Sequence, residues 1–218
     1  MKAKQFAVIG LGRFGQSLTR ELTRIGHEVL AIDLNEEKVN DAIDYSTHAV
    51  QADSMDEQVL KALGIRNFDA VIVAIGENIQ SNILTTIVLK ELGVKKVISK
   101  SRNSMHGKVL EKIGADIVIY PERDMAIKLA RSLVSQNFLE QINLSSNYSI
   151  IEIFTPQVFV NKTLIEIGLR NKMGVTALAI RRGDDIIVAP GPNETMLSGD
   201  VLVALGHNDA LDNLSDLD

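Results

Sequence analysis

Phe6-Ala7-Val8-Ile9-Gly10-Leu11-Gly12-Arg13-Phe14-Gly15 is an apolar run that ends in glycines spaced GxGxxG. Apolar residues at helical spacing follow over 14–25, and a second apolar run over 28–32 stops at Asp33. Strand, glycine turn, helix, strand and terminal acid together form a mononucleotide-binding βαβ unit. In such a unit Gly10 permits the tight turn after the strand, Gly12 lets the backbone approach a phosphate, and Gly15 lets the helix pack closely on the sheet. The phosphate then meets the positive end of the helix dipole.

The same alternation continues outward. Strand-like runs at 5–9, 28–32, 47–51, 70–74, 96–99 and 116–119 are separated by helical spacing at 14–25, 36–43, 56–63, 79–92 and 104–113. Near-continuous apolar strands alternating with helices predict a Rossmann-like, doubly wound parallel α/β sheet covered on both faces. A further helix is expected over 124–137, and the polar stretch 142–150 reads as a boundary. Beyond it lie β-rich pieces at 149–154, 175–181, 185–189 and 201–206 with a short helix at 163–168, a small α+β domain. The division expected is 1–140 for the nucleotide-binding domain with its crossover helix and 141–218 for the second domain, whose acidic tail from 209 is expected to fray.

Composition narrows the chemistry. With 218 residues, 45% of them hydrophobic, the chain can bury real cores. A net charge of −5 with interspersed signs argues against a nucleic-acid partner. There is no cysteine, so disulfides, thiolate metal sites and a cysteine nucleophile are excluded. Lys2 and Lys4 imitate the start of a signal peptide, but Gly10, Gly12 and Arg13 interrupt the apolar run, so a first strand is expected there instead. No apolar run approaches the roughly 20 residues of a membrane-spanning helix. His27, His48, His106 and His207 occur singly, outside metal-ligand spacing, and read as turn or surface residues. No hydrolase motif is legible.

Candidate ligand contacts sit at the strand ends. Asp33, 23 positions after Gly10, can accept from both ribose hydroxyls and would repel a 2′-phosphate, or it can cap the helix that begins near Glu36. Asp53 and Ser54 can face an adenine or cap the next helix. Arg13 puts a guanidinium at the loop mouth, suited to a polyphosphate and in particular one on a neighbouring subunit; the alternative is a solvated first-turn cation. Ala74-Ile75-Gly76-Glu77-Asn78 follows the fourth strand, where the second half of a ligand would lie. Glu122 is either functional or a partner in a salt bridge or cap. Phe14 and Lys100 complete the residues expected around the crevice.

FAVIGLGRFG at 6–15, HEVLAID at 27–33, RNFDAVIVAIGENIQSNILTT at 66–86, LEKIGAD at 110–116 and YPERDMA at 120–126 together resemble one family across nearly the whole chain. It is that of the cytosolic RCK-domain regulatory subunits of bacterial Ktr-type potassium uptake systems. The resemblance implies an RCK_N domain followed by an RCK_C domain, without enzymatic activity. It implies homodimers assembled into an octameric ring beneath a membrane potassium transporter subunit, on the inner face of the cell membrane. It implies ATP or ADP in the N-terminal crevice, in some members NAD(H), with ATP favouring the activated ring. Gly10, Gly12 and Gly15 then contact phosphate, Arg13 a partner-subunit γ-phosphate, Asp33, Asp53 and Ser54 the ribose and adenine, and Glu122 an activating cation such as Mg2+ between nucleotides. In the C-terminal dimer it implies cyclic di-AMP, with Arg170 on a phosphate, Ile165, Val175 and Pro190 as apolar contacts, and Asn171 beside them. A two-fold ligand suits a two-fold interface. The competing readings are an NAD(H)-sensing Trk-type regulator, usually two tandem copies of this unit, and an NAD-dependent oxidoreductase.

Overall fold

In the computed structural model, which describes residues 3–134 and 138–217, strands at Gln5–Ile9 (β1), Glu28–Asp33 (β2), His48–Gln51 (β3), Ala70–Val73 (β4), Val97–Lys100 (β5) and Ile117–Ile119 (β6) form one parallel sheet. Its order is β3-β2-β1-β4-β5-β6, the expected doubly wound arrangement, with the reversal between β1 and β4. Alternate strand residues enter different cores, which is why the strands read as continuous apolar runs. On one face Ala7, Ile9, Ile32, Val71 and Val73 pack with Leu60 of helix α3 (Glu57–Ala62) and Leu89 of α4 (Ile79–Glu91). On the other, Val8, Val29, Ala31 and Ile72 pack with Phe14, Leu18 and Leu22 of α1 (Arg13–Arg24) and Ala42 of α2 (Glu36–Ala42).

Register brings the strand ends to one level, since Ile9 lies beside both Ile32 and Val73, Ile32 beside Val50 and Val73 beside Ser99. The loops that follow therefore open on one edge. α4 lays a polar seam against the sheet: Asn82, Thr85 and Thr86 are fully buried. Thr85 Oγ1 pairs with Ser54 Oγ at 2.8 Å and Thr86 Oγ1 with Ser99 Oγ at 2.9 Å, so the buried hydroxyls are satisfied by one another.

Helix α5 (Ser104–Lys112) lies between β5 and β6, and α6 (Pro121–Val134) starts directly after β6. α6 begins three residues earlier than the spacing suggests because Pro121 suits a first helical turn, whose N–H needs no partner. Residues 135–137, expected to end that helix, lie outside the described residues.

By packing, the chain divides between Arg123 and Asp124, within α6, whereas the texture of the sequence suggests 140/141. The second unit is an antiparallel sheet ordered β10-β9-β11-β8-β7, built from Phe138–Asn143 (β7), Tyr148–Phe154 (β8), Thr176–Arg182 (β9), Asp185–Val188 (β10) and Val201–His207 (β11). The α+β character expected is present, with three corrections. The stretch taken for a boundary is instead the end of β7, a turn, and the start of β8, because Ile142 pairs with Ile150 and Gln141 with Ile151. A second short helix, α8 (Leu169–Met173), follows α7 (Leu164–Ile167). The acidic tail is not frayed: Asn208–Ser215 forms helix α9, with Leu211 and Leu214 each 1% exposed in the same core as Ile151, Ile153 and Leu202. Three-residue spacing buries those leucines while Asp209, Asp212 and Asp216 stay exposed.

Arg182 clasps this unit, donating to Asp200 Oδ1 at 3.0 Å and Oδ2 at 2.8 Å, to Glu194 at 3.2 Å and to the Thr195 carbonyl at 2.9 Å. Among the described residues no helix is long and apolar enough to cross a membrane.

Candidate functional site

The turn after β1 is closed from three sides. Gly10 has φ +96°, and a Cβ there would come within 2.9 Å of the Ile75 nitrogen. A Cβ at Gly15 would overlap the Gly10 carbonyl oxygen, so only glycine lets α1 approach the turn. The Leu11 N–H donates to Asp33 Oδ2 at 2.6 Å, which ties the loop to the end of β2. Gly12 differs: a Cβ there would meet nothing within 4 Å, because it faces the open crevice. It is also the N-cap of α1, supplies no side-chain cap, and no acid occupies the first turn. The first N–H groups of α1 and its dipole are thus left for an anion from outside.

These elements border a cavity of about 670 Å3, the size of a small-ligand site. Of the residues expected there, Gly10, Gly12, Arg13, Phe14, Asp33, Asp53, Ser54, Ala74, Ile75, Gly76, Asn78, Lys100 and Glu122 all line it. Gly15 does not; it supports the loop from beneath. The lining also includes Leu34, Lys38, Met55, Glu77, Ser81 and Arg102. Leu34 and Met55 remain 66% and 38% exposed, which leaves apolar surface directly after Asp33 and directly after Ser54. Large apolar residues following Asp33 and Ser54 were the available signal for them.

The capping alternatives for the acids are not what the structure holds. Asn35 caps α2 by accepting from the Lys38 N–H at 3.1 Å, and Asp56 caps α3 by accepting from Gln58 at 2.9 Å and Val59 at 3.3 Å. Asp33 Oδ1 accepts from the Asn35 N–H at 2.8 Å and Asp53 Oδ1 from Met55 at 2.9 Å. Asp33 Oδ2 also lies 3.9 Å from the Lys38 ammonium; a carboxylate has about four acceptor positions, so each acid retains capacity for a further donor. Asn78 caps α4 by accepting from Ser81 at 3.0 Å.

At the far wall Asn82 joins two loops, its Nδ2 donating to the Ile75 carbonyl at 2.7 Å and the Lys100 carbonyl at 3.1 Å. Lys100 Nζ meets Glu122 Oε1 at 2.5 Å, the salt-bridge alternative for Glu122. The Lys100 ammonium, outweighing burial, holds the Glu122 carboxyl below the usual carboxylate range, and the charge of Arg13 acts in the same direction. Among the described residues no group of three or more His, Cys, Asp or Glu could hold a metal. The cation the resemblance implies lies between the nucleotides of a dimer; in this chain Glu122 is paired with Lys100.

His106 departs from the surface role expected for the histidines. It is 5% exposed on α5, its Nδ1 accepts from the Arg102 N–H at 3.3 Å, Nε2 has no partner among the described residues, and burial pushes its pKa down.

In the second unit Ile165, 65% exposed, opens onto the surface next to the turn that holds Pro190, since its N–H donates to the Pro192 carbonyl at 2.8 Å. Arg170 and Asn171 are exposed on α8. Val175 is 0% exposed and packs in the core, so its side chain is not at the surface.

Comparison with known proteins gives two family matches: the TrkA-N domain over residues 6–121 and the TrkA-C domain over 142–217. The chain is similar to Ktr system potassium uptake protein A of Bacillus subtilis, 52% identical over 207 residues that cover 95% of this chain and 93% of the other. It is similar to the protein of the same name from Vibrio alginolyticus, 40% identical over 210 residues and 96% of each chain. Among solved structures it is similar to the GsuK RCK domain, with a TM-score of 0.68 at 20% identity, over 99% of this chain and 48% of that one. That last likeness is one of fold.

Proposed function

We propose, because the chain belongs to the family of Ktr-system potassium uptake proteins with TrkA-N and TrkA-C domains, that it is the regulatory subunit of a potassium transporter and that adenine nucleotides set its state. The observation that carries the nucleotide is the uncapped start of α1 facing an open crevice, with Asp33 fixing the loop from the neighbouring strand end. A diphosphate would sit on the α1 N–H groups, the ribose on Asp33, and the adenine near Asp53 and Ser54 between Leu34 and Met55. ATP and ADP share all of these contacts, so the γ-phosphate is what Arg13 discriminates, acting on a nucleotide bound to a neighbouring subunit.

In this reading the chain acts by binding rather than catalysis, as homodimers in a ring of eight on the cytoplasmic side of a membrane transporter subunit. The second unit takes cyclic di-AMP on the surface of Ile165, Arg170, Asn171 and Pro190. NAD(H) is the competing ligand, favoured by one feature: the cavity continues past β4 to Gly76, Asn78 and Ser81, where a second nucleotide half would fit.

Calorimetry of the purified protein with ATP, ADP, NADH and cyclic di-AMP, with mass measured by light scattering on the same sample, tests this. Binding of ATP and ADP by an oligomer is expected. A monomer indifferent to every adenine compound would sink the reading, and tighter NADH than ATP would transfer it to the dinucleotide.

A further inference from the structure

Asn82 is 0% exposed near the start of α4 and does not itself line the crevice. Its two amide hydrogens serve different strands, since Nδ2 donates to the carbonyl of Ile75, just after β4, and to that of Lys100, which ends β5. The remaining polar atom, Oδ1, is buried with no partner among the described residues. An amide can hold two carbonyls only with its nitrogen, so the orphaned acceptor is the cost of joining these two loops. Both loops border the crevice through Ile75, Gly76 and Lys100. A Cβ on Gly10 would come within 2.9 Å of the Ile75 nitrogen, so Ile75 abuts the glycine turn, and a Cβ on Gly76 would lie 3.4 Å from Lys100 Nζ, so the two loops meet on the far wall.

We propose that Asn82 is a positioning residue for nucleotides that extend beyond one phosphate: by clamping the loop after β4 to the end of β5, it sets the width of the crevice past the glycine turn. The inference rests on the nucleotide reading above and extends it to a residue that touches no ligand. A phosphate chain or a second nucleotide half must pass between the glycine turn and the clamped loops, whereas a nucleotide that ends at the turn does not reach them. Thr86 separates positioning from support of the core. It too is 0% exposed on α4, but its hydroxyl bonds the Asn82 carbonyl along the helix and Ser99 Oγ within β5, and neither crevice loop.

The test measures ATP and AMP affinity by calorimetry, with urea unfolding in the absence of ligand, for the parent, Asn82→Ala, Asn82→Ser and Thr86→Val. Asn82→Ala should weaken ATP about tenfold while AMP stays within about twofold of the parent. Asn82→Ser, whose single hydroxyl hydrogen can hold at most one of the two carbonyls, should fall between. Thr86→Val should unfold at lower urea yet keep the parent's ratio of ATP to AMP affinity, because it removes a buried bond without freeing a loop. A parent-like ratio in both Asn82 variants would overturn the proposal. So would an equal loss of ATP and AMP in both, or a ratio that falls as far in Thr86→Val as in Asn82→Ala, since either makes Asn82 a support of the core alone. Should Asn82→Ala fail to fold, the Asn82→Ser ratio decides. Failure of the parent to bind ATP would instead remove the crevice reading itself.

Discussion

Two alanine substitutions three residues apart should have opposite consequences. At Gly15 a Cβ would penetrate the Gly10 carbonyl oxygen, far inside the 3.0 Å that real Cβ contacts keep, so α1 must retreat from the sheet. Overpacking of that kind costs about 3 kcal/mol. At Gly12 the backbone has φ −72° and ψ −177°, open to any residue, and a Cβ meets no protein atom within 4 Å. The loss in stability there is about 1 kcal/mol or less, from replacing glycine by a poorer N-cap. The new methyl would stand where phosphate oxygens must come within hydrogen-bond distance of the first helical N–H groups. Losing one charge-assisted bond costs about 1.5–3 kcal/mol, or ten- to hundredfold in affinity. Urea unfolding of the ligand-free variants, with ATP calorimetry on each, separates the effects. Gly12→Ala should melt like the parent and bind ATP poorly, and Gly15→Ala should be destabilised outright. Parent-like ATP binding by Gly12→Ala would refute the placement of phosphate at this loop, whatever its stability.

Arg13→Ala should keep ADP affinity and weaken ATP at least tenfold by calorimetry, the value of one charge-assisted contact; equal effects on both nucleotides would return Arg13 to the solvated cation. Burial works to raise the Asp200 pKa, but bonds from Arg182 and the Leu197 N–H outweigh it and leave the pKa lowered. A depressed folded pKa contributes stability that is complete above the unfolded value of about 3.9 and is lost as pH falls through the folded one. Urea unfolding of the parent between pH 6 and pH 3 should therefore fall more steeply than that of Asp200→Asn, itself weaker by about 2 kcal/mol at pH 7; parallel curves would count against the clasp. Leu214→Ala should cost about 3 kcal/mol, since the residue is 1% exposed in the core, whereas a frayed tail would lose nothing measurable.

The parallel sheet was legible because the central strands β1, β2 and β4 are near-continuous apolar runs, each followed by helical spacing, a pattern with few alternatives. The second unit was less so. β7 alternates weakly in sequence and is a strand because β8 pairs with it, a tertiary decision no local propensity records. α9 was obscured by the four aspartates of the last ten residues, while two leucines three residues apart decide the packing. Around the crevice, loop glycines and strand-end acids are spaced by the fold itself and could be named in advance. The Lys100–Glu122 pair spans 22 residues and depends on α6 starting at Pro121, directly after β6, three residues before the apolar spacing announces a helix. His106 lies one helical turn before the fully buried Leu110 on α5, a mark of its inward face that its isolation from other histidines does not show.

A ligand redistributes two conformations only through a difference in its affinity for them. On the proposed reading, the glycine loop, Asp33 and the adenine wall would touch parts common to ATP and ADP, so they would hold a nucleotide without telling the two apart. In that same reading, discrimination would arise at Arg13, one of the charged groups lining the crevice. One charge-assisted contact contributes about 1.5–3 kcal/mol, while moving an equilibrium from 1:99 to 99:1 takes about 5.5 kcal/mol. A single site therefore falls short of a full switch, and two or more sites acting on one shared equilibrium reach it. That arithmetic gives an assembled regulator its physical rationale. It also sets the expectation for any variant held as a monomer: without a neighbouring subunit's Arg13 the preference for ATP over ADP falls by the value of that contact, and the conformational response is partial.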